Sequence, residues 1–554
     1  MLKNCINQVA SEDNVELIFR EGVLSRKNLS SLEEYCIAPI NEKWGIVSVP
    51  IRDIPEATYE TVGYSAFPNV YGLSDVKAVN ASGVRAVREQ PNLGLYGEGT
   101  CIAIIDTGIN WQHEAFVNRD NTTKIQVLWD QNTNTVYTDK EINQALLNGD
   151  GGAIPGDENG HGTFVAGIAA GNMNLNQQFS GVAPLAKLIV VKLKPAKQFV
   201  RDFYGIKNGA IAYSETDLML AVAFVENYAE EMGLNVSYCI GVGSNLGSHA
   251  GTSPLCDLLG DVAEKPGRCV TIAAGNEGIE KLHFRGKIER ENGNQRVEIN
   301  VAENEKGFVC ELWSDAPEIY TIEIISPTGQ IINRVPSRTG SSTRVNFIFE
   351  DTTILIFNKQ FESRSGKNLV VIRFKNPAAG IWTLNVYGRN ITSGNYNMWI
   401  MNREFIKSDT YFLTPDPLTT ICEPGNAPEP ITVVAYDSDS NSSYIRNGRG
   451  FSANSGIKPD FAAPGVNVNG PSATGNGYEI RSGSSIAAGF YSGMAALIME
   501  YGIVRGRIPY LRTSDIKNIT ISGCIRQDGI IYPSPIWGYG RVNLYNSIEL
   551  MREE

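Results

Sequence analysis

The arrangement of apolar and polar positions changes character along the chain, and each change predicts a different kind of unit. Near the N-terminus Val15, Leu17 and Phe19 alternate with other residues, the period of a half-buried strand. Gly45 to Pro50 reads as a second strand, with a helix start at Ser30-Ser31-Leu32-Glu33-Glu34 between the two. The Pro-, Gly- and Tyr-rich stretch from Tyr59 to Gly72 reads as a linker. From about Leu73 to Gly278 the pattern is different. Cys101–Ile105, Leu188–Val191 and Cys269–Ala273 are continuous apolar runs of strand length, interleaved with helical patterns such as the long one from Thr216 to Met232. Strands that are apolar on both sides belong in a parallel sheet with helices over each face.

After His283 the alternation returns. Val297, Ile299 and Val301 follow a two-residue period, as do Tyr320, Ile322 and Ile324, and Val345, Phe347 and Phe349. Val370 and Ile372 continue it, followed by Trp382, Leu384 and Val386. Ser326-Pro327-Thr328-Gly329 and Asn376-Pro377-Ala378-Ala379-Gly380 punctuate the series. Short alternating strands with Gly/Pro turns predict an antiparallel β-sandwich. Helical patterning resumes after Ser484 and runs through Tyr501, so the β-rich block reads as an insertion into an α/β domain. The expected organisation is a small α/β unit over residues 1–72, an α/β domain in two parts, 73–282 and 406–554, and a jelly-roll-like sandwich over 283–405.

The length of 554 residues agrees with such a multi-part chain. A formal net charge of −12 without a long basic run argues against nucleic acid as the main partner, because phosphate binding needs clustered Lys and Arg. The nine cysteines lie far apart and form no C-x-x-C pair, which predicts mostly free thiols in a reducing compartment. Residues 1–16 lack the apolar core of a secretory signal peptide, and no apolar run reaches about 18 residues, so no membrane span is predicted.

Three local signals carry chemistry. In Ile104-Ile105-Asp106-Thr107-Gly108 a carboxylate stands at the end of a buried strand, before a Gly that lets the chain turn. Functional groups of open α/β sheets sit at such carboxyl ends, although alone Asp106 reads equally as a turn cap. In Asn159-Gly160-His161-Gly162-Thr163, His161 is the one His of four flanked by two Gly, ahead of a helix of small residues. In Ser482-Gly483-Ser484-Ser485-Ile486-Ala487-Ala488-Gly489 a Ser opens a helix rich in Ala, where free N–H groups favour negative charge. An N-cap Ser is the bland alternative. Together they supply a Ser-His-Asp triad in the chain order Asp, His, Ser.

That order, with the Asp106-Thr107-Gly108, His161-Gly162-Thr163 and Gly483-Ser484-Ser485-Ile486-Ala487 boxes, closely resembles the subtilase family. Ala273-Ala274-Gly275-Asn276 and Lys458-Pro459-Asp460-Phe461-Ala462-Ala463-Pro464-Gly465 extend the resemblance. It implies a subtilisin-like parallel sheet sandwiched by helices and a serine endopeptidase whose catalytic residues are Asp106, His161 and Ser485. It also implies Asn276 as an oxyanion donor, and Gly241-Val242-Gly243 as the strand that pairs with extended substrate. Residues 1–72 would then be a prodomain, an intramolecular chaperone and inhibitor removed by autocatalytic cleavage, with Ser65 to Ser74 as its tail in the cleft. The sequence departs from the family at Gly241-Val242-Gly243, where Ser-Leu-Gly is commoner, and at Ser484 for the usual Thr. At Gly489, in place of a frequent Pro, it predicts a softer mount for the nucleophile.

The β block between Asn276 and Ser485, with Asn245-Leu246-Gly247 and Tyr411 to Pro417, resembles the clostridial Csp germination-protease branch of that family. That resemblance implies limited processing of a spore cortex-lytic zymogen, in a cytoplasmic or spore-associated setting. The rival from another class is a pseudoprotease acting as a binding or signalling protein in germination. The expected partners are a protein substrate and the chain's own prodomain. No cofactor is required. Calcium binding by the acidic loop Asp157-Glu158-Asn159 is an alternative to a solvated loop, no EF-hand pattern being present, and no metal ligand is assigned.

Overall fold

The structure is a computed structural model in which residues 11–20, 36–41, 43–54, 63–71, 82–336 and 340–551 are described. The helix start at Ser30 to Glu34 and the ends of the Tyr59–Gly72 linker lie outside these residues. The N-terminal unit is an antiparallel sheet of β1 (Asn14–Arg20), β2 (Cys36–Pro39) and β3 (Trp44–Pro50), in the order β1-β3-β2. β1 is buried on both faces rather than one. Val15 and Leu17 pack toward the inserted β block, whereas Ile18, with Trp44 and Ile46 of β3, joins the core under the central sheet. Glu16 is buried between them because Lys197 Nζ stands 2.8 Å from its carboxylate. A two-residue strand, β4 (Val70–Tyr71), follows.

The central sheet is built from β5 (Cys101–Asp106), β6 (Ile125–Asp130), β7 (Thr135–Thr138) and β8 (Lys187–Lys192), then, after the short β9 (Tyr213–Ser214), from β10 (Val236–Ile240) and β11 (Arg268–Ala273). Two later strands, β12 (Ile431–Asp437) and β13 (Phe461–Val466), complete it. Its spatial order is β13-β12-β11-β10-β5-β8-β6-β7. Every neighbouring pair is parallel except β6 and β7.

The continuous apolar strands are explained by what covers the two faces. Ile102 and Ile104 of β5 pack with α1 (His161–Ala170), and Cys101, Ala103 and Ile105 with α2 (Glu215–Met232) and α3 (Pro254–Ala263). α4 (Ser484–Met499) lies beside α1 on the first face. With the turn that continues it to Val504, α4 is long and apolar enough to cross a membrane, but 94% of that apolar window is buried in this core. Seven of the described cysteines are free and buried, and Cys36 is disulfide-bonded.

Between β11 and β12 the chain forms two antiparallel sheets. Strands His283–Lys287, Asn395–Ile400, Gly307–Ser314, Asn368–Lys375, Thr352–Lys359 and Ser341–Phe347 make one, in that order. Strands Ile331–Val335, Ile319–Ile325, Gly380–Arg389, Asn294–Val301 and Tyr411–Phe412 make the other. Alternate residues such as Val297, Ile299, Ile322, Ile324, Leu384 and Val386 fill the core between them. The alternation overreached at Phe349, which lies past its strand in an exposed turn beside the equally exposed Ile348. This core does not close on itself. It is continuous with Phe203, Tyr204 and Leu246 of the α/β body and with Phe67 of the N-terminal segment.

Candidate active site

The carboxyl ends of β5, β10 and β11 and the N-termini of α1 and α4 converge on one place. Asp106 ends β5, His161 opens α1, and Ser485 is the second residue of α4. His161 Nδ1 lies 2.7 Å from Asp106 Oδ1 and His161 Nε2 lies 2.9 Å from Ser485 Oγ. In the tautomer that donates Nδ1–H to the carboxylate, Nε2 is left to accept the Ser485 hydroxyl proton. Thr107 N also donates to Asp106 Oδ1, at 2.8 Å, so the carboxylate cannot swing away from the ring.

The sequence makes this convergence sterically possible. A Cβ on Gly162 would lie 2.3 Å from Gly108 O and 3.1 Å from Asp106 Cβ, so the second position of α1 must be Gly for the helix to approach the Asp106 loop. α4 meets α1 through Gly489 and Gly493, one turn apart. A Cβ there would stand 3.0 Å from Val165 Cγ1 and 2.7 Å from Ala169 O, respectively. Gly489 is therefore a packing residue that brings the Ser helix onto the His helix, and the expectation of a loosened nucleophile mount gives way to one of close helix contact.

Asn276 follows β11 and accepts a hydrogen bond from Ser484 N through Oδ1, at 3.2 Å. That contact fixes the amide beside the start of the Ser485 helix and leaves its NH₂ group to donate elsewhere. Gly241, the residue after β10, touches all three triad members: a Cβ there would meet Asp106 Oδ2, His161 Cε1 and Ser485 Cβ at 3.1 to 3.3 Å. Val242 is buried under the sheet, and the Gly243 carbonyl accepts from Asn402 Nδ2 at 3.1 Å. Asn402 Oδ1 in turn accepts from Asn245 N at 2.8 Å, and Arg403 N donates to Glu277 Oε2 at 3.4 Å. The chain leaving the β block thus holds both the Gly241–Gly243 strand and the residue after Asn276. These contacts join residues about 130 to 160 positions apart, so no local signal could have revealed them.

The described end of the N-terminal segment packs on the α/β body. Val70 and Tyr71 pair antiparallel with Ser214 and Tyr213. Burial, helped by the charges of Asp106 and Asp157, pushes the Tyr213 phenol above its usual range. Phe67 is buried 4.3 Å from the Phe203 ring, and Asn69 N donates to Glu215 Oε2 at 3.3 Å. The expected tail residues 72 to 74 lie outside the described residues.

The remaining histidines do other work. His249 and His283 both stack on Trp399, and burial lowers them to about 3 and about 4, so they are neutral near pH 7. His113 Nδ1 accepts from Ala115 N in a turn. Among the described residues no group of three or more His, Cys, Asp or Glu is placed to hold a metal. The acidic loop is neither a solvated loop throughout nor a fit for calcium. Asp157 is buried and its two oxygens accept five hydrogen bonds, while the exposed Glu158 pairs with Lys192 Nζ at 2.7 Å. Both carboxylates are thus engaged by groups of the chain itself.

Comparison with known proteins gives a consistent picture. The subtilase family profile matches residues 97–307 and 391–522, breaking across the two antiparallel sheets. The major intracellular serine protease of Bacillus subtilis is 30% identical over 185 residues, 33% of this chain and 45% of that protein. Thermitase of Thermoactinomyces vulgaris is 29% identical over 182 residues, 33% of this chain and 49% of that protein. The matches therefore span about half the length of these curated relatives. The structure of the Clostridium perfringens CspB protease superposes with a TM-score of 0.77 at 28% identity, covering 85% of this chain and 96% of that one.

Proposed function

The chain belongs to the subtilase family, with the family's parallel sheet between layers of helices, and on that premise we propose that it is a serine endopeptidase acting through Asp106, His161 and Ser485. The observation that carries this reading is the hydrogen-bonded run from Ser485 Oγ through His161 to Asp106, at 2.9 and 2.7 Å. Ser485 Oγ attacks the scissile carbonyl as His161 Nε2 takes its proton. His161 then returns the proton to the leaving amine, and Asp106 stabilises the imidazolium between these steps. The Asn276 amide and the Ser485 N–H bind the tetrahedral oxyanion, where their stabilisation exceeds that of the ground-state carbonyl. Extended substrate pairs with the Gly241–Gly243 strand.

Residues 1 to about 72 act as a prodomain that the enzyme cleaves in cis. The support is the pairing of Val70–Tyr71 with Tyr213–Ser214 and the burial of Phe67, which hold the segment's end on the body of the enzyme, where cleavage in cis has a high effective concentration. The insert, through Asn402 and Arg403, stiffens the substrate strand and the oxyanion loop. The task we propose is limited processing of a protein precursor, a spore cortex-lytic zymogen in a cytoplasmic or spore-associated setting. Its support is the likeness to the CspB protease over most of both chains. N-terminal sequencing of the purified chain beside Ser485→Ala tests the proposal. The wild type runs as two associated fragments and the variant as one chain. A Ser485→Ala chain cut like the wild type would remove both the nucleophile assignment and self-processing.

A further inference from the structure

The His-bearing helix begins without a side-chain cap from its own N-cap residue, Gly160. Its N–H groups are nonetheless satisfied. His161 N donates to Asn159 Oδ1 at 3.2 Å, Gly162 N to Thr107 Oγ1 at 2.9 Å, and Phe164 N to Gly160 O at 3.1 Å. Thr163 N donates to Asp157 Oδ2 at 2.9 Å. Asp157 also accepts from Thr163 Oγ1 at 2.7 Å on that oxygen. Its other oxygen accepts from Thr107 Oγ1 at 2.7 Å, Gly160 N at 2.8 Å and Asn159 N at 3.1 Å. The donors come from both sides of the triad's first hydrogen bond. Thr107 is the neighbour of Asp106, and Gly160 and Thr163 bracket His161.

We propose that Asp157 is a positioning residue for the peptidase reaction, a second carboxylate that ties the Asp106 loop to the first turn of the His161 helix and so fixes the Asp106–His161 bond. The inference rests on the protease reading above. Asp157 touches no reacting atom; it works through the backbones that carry two atoms that do. It is buried, it forms no ion pair among the described residues, and both of its oxygens face the two loops that hold Asp106 and His161. A carboxylate at a helix N-terminus is held by the free N–H groups and the helix dipole. Its charge also favours the imidazolium that forms during the reaction. Losing the tie lets Asp106 and His161 drift apart, and a misplacement of about 1 Å in such a site costs about 10²-fold in rate.

The test uses a fluorophosphonate, which reports the activated nucleophile without knowledge of the natural substrate. The maximal labelling rate and the half-saturating concentration are measured against pH for the wild type, Asp157→Asn and Asp157→Ala, with thermal unfolding alongside. The expected result is a maximal rate lowered about 10²-fold in Asp157→Ala and less in Asp157→Asn. Half-saturation is unchanged, and the acid limb of the profile moves to lower pH in both variants. A fall in melting temperature with the wild-type rate and pH profile would make Asp157 merely structural and overturn the inference. So would a loss confined to half-saturation. Should Asp157→Ala not fold, Asp157→Asn decides by the same readouts. A wild type that does not label overturns the protease reading itself, a result distinct from any of these.

Discussion

Gly162 leaves no room for a side chain against the Asp106 loop, and replacing it sets a sharp prediction. In Gly162→Ala the new methyl would stand 2.3 Å from Gly108 O, inside the shortest comfortable C···O approach of about 3.3 Å. The contact must open by about 1 Å. Asp106 Cβ, at 3.1 Å from the same methyl, closes the other direction, so the relief comes from moving the start of the His helix away from the Asp106 loop. A shift of that size takes the 2.7 Å His161–Asp106 bond to beyond hydrogen-bonding distance. The imidazole then loses its tautomer and orientation, which lowers turnover by about 10²-fold for the displacement alone and up to about 10⁴-fold if the carboxylate is lost to the ring. Overpacking destabilises the fold by about 1–3 kcal/mol, too little to unfold a chain with this much buried core. The assay is hydrolysis of a labelled protein substrate with thermal unfolding of the same preparation. A folded Gly162→Ala that turns over like the wild type would refute the argument that close approach of these loops builds the site.

Other substitutions probe the remaining parts. Asn276→Ala should lower turnover about 10²–10³-fold with little change in KM, the loss known for an oxyanion asparagine in subtilisin, a member of this family; steady-state kinetics checks it. Phe67→Ala, at the buried contact with Phe203, should weaken docking of the N-terminal segment by about 3–5 kcal/mol, seen as faster limited proteolysis of that segment in a Ser485→Ala background. Burial pushes the Glu423 carboxyl from 4.5 up to about 7. Folding therefore favours its protonated form, and its contribution to stability is complete below about pH 4.5 and lost as pH rises through about 7. The difference amounts to about 3 kcal/mol. Glu423→Gln should accordingly lose less stability than the wild type between these pH values in denaturant titrations.

Much of this arrangement is legible in the chain because it is local. The apolar run ending in Asp106, the Gly-flanked His161 and the Ser485 helix start are short patterns with a steric or electrostatic cause, and each lies where its pattern places it. α3 carries sound start signals of its own in Ser253, whose hydroxyl accepts from Cys256 N, and Pro254 at the first helical position, although the apolar pattern around it does not single it out. Asp157 reads in the sequence as part of a calcium or solvent loop because one of its five donors, Thr107 Oγ1, lies 50 positions away and only the fold brings it to the loop. Burial of Glu16 is illegible in the sequence for the same reason: its partner Lys197 is 181 positions away. Nothing local distinguishes Asn402 and Arg403, whose hold on Gly243 and Glu277 exists only once the β block returns to the sheet.

Activation of Ser485 by His161 and Asp106 can be read out without a natural substrate. Its most direct measurement is mass spectrometry of the chain after treatment with a fluorophosphonate, alongside Ser485→Ala and Asp106→Asn. A single phosphonyl adduct is expected on the peptide containing Ser485, none in Ser485→Ala, and formation slowed about 10⁴-fold in Asp106→Asn. A wild-type chain that stays unmodified, or an adduct on another residue that survives Ser485→Ala, would contradict it.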